Sequence, residues 1–246
     1  MNLVLVLTLG LTSMGSAFVK GVTGMAFPLF ATPVVALLTD IRTAIVVLLA
    51  PNILMDIVLI ARKRFPLEHL RRLWPMLAAG ILGVFLGTYL LVTIPERAVN
   101  LILAAIVFVF VGQGLWAKGV ALPEAWEPAV SPVVGLAAGV LTGVSNTLSP
   151  IVAIYMLSLQ LGKFDFVKSV ALVFFSFKVA QVAAVWRWHL FTPERLWLSG
   201  AATAFAFAGF GIGLRVQDRI NQTTFNRVLL VLLVIMGVLL VGKALR

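Results

Sequence analysis

Three ionisable residues of this chain, Lys20, Asp56 and Lys178, fall inside runs of mostly aliphatic residues, with the amides Asn52 and Gln181 close by. A charged side chain at that depth faces the interior of a helix bundle and has a partner there. Asn52 and Asp56 are four positions apart, and Lys178 and Gln181 are three apart, so each pair shares one helix face. Asn52 and Lys178 are separated by 126 positions. Lysines and amides gathered in this way could offset the charge of an anion, and Asp56 could take up a proton. The competing structural account is an internal Asp56–Lys178 ion pair that fixes packing. In that account Lys20 lies close enough to a helix end to extend its ammonium to water.

Two short motifs lie beside these residues. "GVTGMAFP" runs from Gly21 to Pro28 and "GVSNTLSP" from Gly143 to Pro150. Lipid offers no partner to an open backbone N–H or C=O, so a broken helix survives only where protein or a wet cavity surrounds it. Transporters built from repeats use such breaks near the membrane midplane: half-helix N-termini present N–H groups to an anionic substrate. Thr23, Ser145, Asn146, Thr147 and Ser149 add hydroxyl and amide donors. Gly21, Gly24 and Gly143 permit tight turns and close approach. Pro28 and Pro150 have no N–H to satisfy and can open the next helix. The two breaks are expected to be central and to face each other. The alternative is close helix packing through small residues.

The surrounding sequence must supply membrane helices. Of 246 residues, 61% are hydrophobic and only 11% charged, against about 25% charged in a soluble domain. Mean hydropathy is +1.10. The apolar runs do not alternate with polar residues, which excludes a barrel. The sequence therefore reads as an all-α polytopic membrane protein. About ten segments are expected, at 3–20, 25–38, 44–61, 73–93, 98–117, 129–144, 148–161, 167–186, 196–214 and 227–242. The first has neither a basic n-region nor a small-residue cleavage site and is read as mature chain.

Residues 119–128, "GVALPEAWEP", separate an N-terminal membrane repeat, 1–118, from a C-terminal one, 129–246. "GVFLG" (Gly83, Gly87) recurs as "GFGIG" (Gly209, Gly213), 126 positions later. Asn100 and Asn226 keep the same spacing, and Asp40 and Asp165 each precede a third segment. A duplication explains matches that keep one order. Each half opens with a broken-helix hairpin. The basic loop "RKRFPLEHLRR" is placed in the cytoplasm. If each hairpin returns to its starting side, the second half is inverted, in a 5+5 repeat. Eleven loop lysines and arginines are then cytoplasmic and six are not, against ten and seven for parallel halves. The inverted arrangement, with both termini outside the cytoplasm, is preferred.

Other features mostly exclude functions. There is no cysteine, so disulfides and thiolate chemistry are ruled out. The net charge of +10 comes from scattered loop residues, which fits membrane topology and not nucleic acid. His69 and His189 lie in loops, and no carboxylate–histidine cluster points to a metal. No Ser–His–Asp set can be assembled at one depth. "GVTGMAFP" lacks the lysine and hydroxyl ending of a phosphate loop. The chain is not expected to be an enzyme, and no cofactor is expected. Six tryptophans near segment ends read as an interfacial belt.

On "GVTGMAFPLFATPVV", on "GLAAGVLTGVSNTLSPIVAIYML" and on its duplicated halves, the chain resembles the TauE/SafE sulfite exporter family, also called the 4-toluene sulfonate uptake permeases. The resemblance covers nearly the whole chain. Relatives often carry a denser glycine cluster before the proline. The resemblance implies a permease in the bacterial inner membrane that carries small organosulfur or carboxylate anions. The leading reading is thus a secondary transporter, with protons as the coupling ion. Its substrate would be a sulfonate, sulfite, sulfoacetate or short carboxylate. Substrate contacts are assigned to Lys20, Gly21, Thr23, Gly24, Asn52, Ser145, Asn146, Thr147, Lys178 and Gln181, and proton coupling to Asp56. An uncoupled, channel-like facilitator is the alternative, followed by a membrane enzyme or assembly factor.

Overall fold

The computed structural model describes residues 3–62, 67–95, 123–146, 149–225, 227, 228 and 231. Among them the chain is helical, with no strand. The helices are α1 (Leu3–Thr23), α2 (Phe27–Leu38), α3 (Ile41–Ala61) and α4 (Leu67–Thr93), then α5 (Glu127–Ser145), α6 (Ser149–Ser158), α7 (Lys163–Arg187) and α8 (Pro193–Arg219). Six of these, all but α2 and α6, are long and apolar enough to cross a membrane. This is a multi-pass membrane protein. The segments expected at 98–117 and 227–242 lie outside the described residues, apart from 227, 228 and 231.

Several helices are longer than their apolar runs. α3 starts at Ile41 rather than 44, because Asp40 caps it by accepting a bond from Thr43 N at 2.9 Å. α7 starts at Lys163 rather than 167, and α8 continues to Arg219 rather than 214. Charged residues at a membrane interface remain helical, so counting apolar residues alone underestimates a helix. Lys168, at the edge of the expected segment, consequently lies well inside α7 and is only 3% exposed.

Glycine seams set the helix directions. A Cβ on Gly139 would meet Gly80 O at 2.0 Å, and one on Gly135 would meet Met76 O at 2.2 Å. Gly143 lies similarly on Thr88 N. α4 and α5 therefore run side by side in one direction, and Arg72 pairs with Glu127 at one end of the seam. α1 and α8 form a second parallel seam, with Gly209 on Met14, Gly213 on Phe18 and Gln217 donating to Val22 O. α3 runs with α8, since Thr43 meets Arg195 at one end and Arg62 meets Asp218 at the other. α7 opposes α8, because Lys163 at its start reaches Ile220 O beyond the end of α8. α4 runs with α7: Gly80 packs on Phe177, and Tyr89 stacks near Trp188. Thus α1, α3 and α8 run one way, and α4, α5 and α7 the other.

Trp74 and Trp126 are exposed near one end of these helices, and Trp186 and Trp197 near the other. Such a distribution suits two interfacial belts. Trp116 lies outside the described residues.

Candidate functional site

The chain between α1 and α2 turns through two left-handed residues, Gly24 at φ 81° and Ala26 at φ 78°. Glycine suits the first; the second is strained for alanine. No side chain caps α2. Thr23 Oγ1 accompanies the turn, donating to Val19 O at 2.8 Å and Met25 O at 3.2 Å. One turn before the break, Lys20 is wholly buried, as are Asn52 and Asp56 on α3. Its ammonium donates to Asn52 Oδ1 and, at 3.3 Å, to Asn52 O. It also lies 2.6 Å from Asp56 Oδ1. That last contact is an ion pair rather than an aligned hydrogen bond, and Asp56 Oδ2 has no hydrogen-bond donor. Among the described residues, Asn52 Nδ2 has no acceptor. The Phe174 ring lies 5.3 Å from Lys20 Nζ, a cation–π distance.

The second break is built differently. α5 ends at Ser145, and Asn146 takes the left-handed turn at φ 62° with its N–H on Thr142 O. Asn146 is buried and donates from Nδ2 to Thr32 Oγ1 of α2 at 3.2 Å. That bond turns Oδ1 toward Lys178, whose ammonium donates to it. Lys178 also donates to Gln181 Oε1 at 2.8 Å and lies 3.5 Å from Asn146 O. Gln181 is oriented in turn by donating from Nε2 to Thr142 O at 2.8 Å. Lys178 and Gln181 are wholly buried.

Three sequence expectations are corrected here. Asp56 is paired with Lys20, not Lys178, because the Lys20 side chain reaches from α1 to the face of α3 that carries Asn52 and Asp56. Lys20 does not extend to water; its whole side chain is enclosed. The breaks also do not face each other at one depth. Gly24 packs on Val167, whereas Asn146 reaches Lys178, eleven residues further along α7, or about 16 Å along its axis at 1.5 Å per residue. What converges between the breaks is the pair of lysines, since Lys20 lies over Phe174 and Lys178 is one turn beyond.

The remaining candidates are placed as follows. Gly21 packs on α8, where a Cβ would meet Phe210 O at 2.6 Å. Gly24 holds the turn, and a Cβ there would meet Val167 Cγ1 at 2.9 Å. Ser145 is buried and donates to Leu141 O at 2.9 Å. Thr147 lies outside the described residues. Thr32 and Thr142 were not singled out from sequence, yet each orients an amide of the site. Thr142 does so through its backbone carbonyl, which residue type does not signal, and Thr32 is 114 positions from Asn146. No group of three metal-ligating side chains occurs among the described residues.

A buried pair of lysines between two interrupted helices is a polar site in a membrane bundle. The family comparison agrees in kind: the model for the sulfite exporter TauE/SafE family matches residues 9–240. The chain belongs to the TauE/SafE family. No curated protein and no solved structure matches it significantly. Membership in TauE/SafE makes the chain a membrane transporter of the permease type. The TauE/SafE match spans both breaks and all the buried polar residues named above.

Proposed function

We propose that this TauE/SafE protein is a secondary transporter for small organic or sulfur-containing anions in the bacterial inner membrane. Sulfite, sulfonates, sulfoacetate and short carboxylates are the substrate class. The observation that carries this reading is Lys178: among the described residues, this fully buried ammonium touches only neutral oxygens, from Asn146 and Gln181. A buried charge without a counter-ion is costly, and an anion supplies the missing one. Asn52 Nδ2, a buried donor with no acceptor, is placed as a second contact. Lys20, Gly21, Thr23, Gly24, Ser145, Asn146, Thr147 and Gln181 complete the proposed surroundings, some by shaping the breaks and some by contact.

Asp56 is the proposed proton-coupling group, since its Oδ2 has no donor and a proton would supply one. The site is enclosed, with every one of its charged side chains at 0% exposure. Substrate therefore enters when α2 and α6 move and the lysines exchange internal acceptors for its oxygens. Ten segments in an inverted 5+5 repeat provide the two gates. That arrangement is supported by the opposed directions of α1 and α5, α3 and α7, and α4 and α8. It places Arg62, Arg72 and Lys163 in the cytoplasm.

Flux of sulfite into liposomes containing the purified protein tests this reading. It is expected to saturate, to rise with an imposed proton gradient and to be lost in Lys178→Met. Saturable flux indifferent to the gradient favours the uncoupled facilitator. No flux of any sulfur oxyanion or short carboxylate overturns the proposal.

A further inference from the structure

The charges in the site can be counted, and the count selects among anions. Among the described residues, only Lys20, Asp56 and Lys178 are ionisable and wholly buried. Each ammonium faces three oxygens: Asn52 Oδ1, Asn52 O and Asp56 Oδ1 for Lys20, and Asn146 Oδ1, Asn146 O and Gln181 Oε1 for Lys178. Three acceptors suit a protonated lysine, which has three donors and no lone pair. The amide oxygens are fixed in place because Asn146 Nδ2 and Gln181 Nε2 are committed to Thr32 and Thr142. Lys20 and Asp56 then cancel, and Lys178 does not. The next buried lysine, Lys168, lies ten residues before Lys178 on α7, about 15 Å along the axis. Glu127 is paired with Arg72 at the far end of α5.

Resting on the anion-site reading above, we infer that the closed site carries one net positive charge, held by Lys178. It takes a singly charged oxyanion directly, and a doubly charged one only together with one proton on Asp56. The physical reason is the burial of all three groups. In a low dielectric an unbalanced charge is expensive, so the loaded site must be close to neutral. A monoanion neutralises Lys178 and leaves the Lys20–Asp56 pair intact. A dianion leaves one excess negative charge, and protonating Asp56 removes it by freeing Lys20 as a second cation. Proton uptake thus follows the charge of the substrate instead of being fixed at one per cycle.

Two sulfur oxyanions of similar size separate these cases: methanesulfonate, singly charged, and sulfate, doubly charged. Wild-type protein near neutral pH is expected to bind methanesulfonate at least about tenfold more tightly, equivalent to about 1.4 kcal/mol. In weakly buffered solution it takes up one proton for each sulfate bound and none for each methanesulfonate. Asp56→Asn leaves two lysines unbalanced and shifts the ratio toward sulfate by about tenfold or more. Lys20→Met with Asp56→Asn returns the net charge to one and the ratio toward wild type. Equal affinity for both anions in the wild type, or equal proton uptake with both, overturns the charge assignment while leaving the anion site standing. If the wild type binds neither anion, the reading of the site fails with it. The proton count uses wild-type protein alone, so the test survives if a variant does not fold.

Discussion

Each half of the molecule buries one lysine against an asparagine 32 residues away, and the two arrangements are reversed. In the first half the lysine precedes the break and the asparagine is on the third segment. In the second half the asparagine forms the break and the lysine is on the third segment. The decisive difference is one residue. Asp56 is in contact with Lys20, and among the described residues no carboxylate is in contact with Lys178, whose remaining partner is Gln181. The two buried lysines thus have different electrostatic surroundings. Lys20 has a carboxylate in contact, and the described neighbours of Lys178 are neutral oxygens.

The largest expected effect comes from breaking this asymmetry directly. Lys20→Met strands a buried carboxylate and should destabilise the fold by about 3–5 kcal/mol, with Asp56→Asn restoring most of it. Lys178→Met strands only neutral amide oxygens, at about 1–3 kcal/mol, and Asp56→Asn should not rescue it. Thermal unfolding of the three single variants and two doubles in detergent checks the pattern. Rescue of Lys178→Met by Asp56→Asn would mean that the two residues are partners after all.

A smaller effect sharpens the comparison at the asparagines. A hydrogen bond to a charged group contributes about 1.5–3 kcal/mol. Asn146→Ala releases the Lys178 ammonium from its orienting oxygen, and Asn52→Ala removes the unpartnered donor. Each should weaken anion binding by about tenfold to a hundredfold, read by calorimetry. If Asn52→Ala alone is silent, the anion is held wholly by the second half.

The smallest effect lies at the α3 cap, outside the membrane. Partial burial works to raise the Asp40 pKa, but hydrogen bonds from the Thr43 hydroxyl and N–H and the nearby Arg195 hold it below the usual carboxylate range. A lowered folded-state pKa means that the stabilisation is present above the ordinary aspartate value, about 3.9. It is lost as pH falls through the lower, folded value. Unfolding of wild type should therefore become easier at acid pH by a small increment that Asp40→Asn lacks. Identical acid profiles for the two proteins would remove the cap from the account.

Much of the site was legible because charged residues are rare inside the apolar runs of this chain. Lys20, Asn52, Asp56, Lys178 and Gln181 stand out from aliphatic neighbours, and helical spacing puts them on common faces. The pairing was not legible. Periodicity gives the face of α3 that carries Asp56 but not which lysine on another helix reaches it. That choice rests on how far α1 stands from α3, which lets the Lys20 side chain span to Asp56. The depth of the breaks was also hidden, because it depends on the register of α1 and α5 against α7. Helix ends were hidden for a simpler reason: Lys163 and Arg219 belong to helices that continue past their apolar runs.

The most direct measurement is the position of a bound anion. Hydrogen selenite is a singly charged, heavy-atom analogue of hydrogen sulfite, and its selenium can be located by anomalous scattering. The expected result is selenium beside Lys178 Nζ, within hydrogen-bonding reach of Asn52 Nδ2 and away from Asp56. Selenium beside Lys20, or in the cavity of about 350 Å³ lined by Gln160, Phe166, Gln222 and Phe225 with nothing at Lys178, would contradict the central claim.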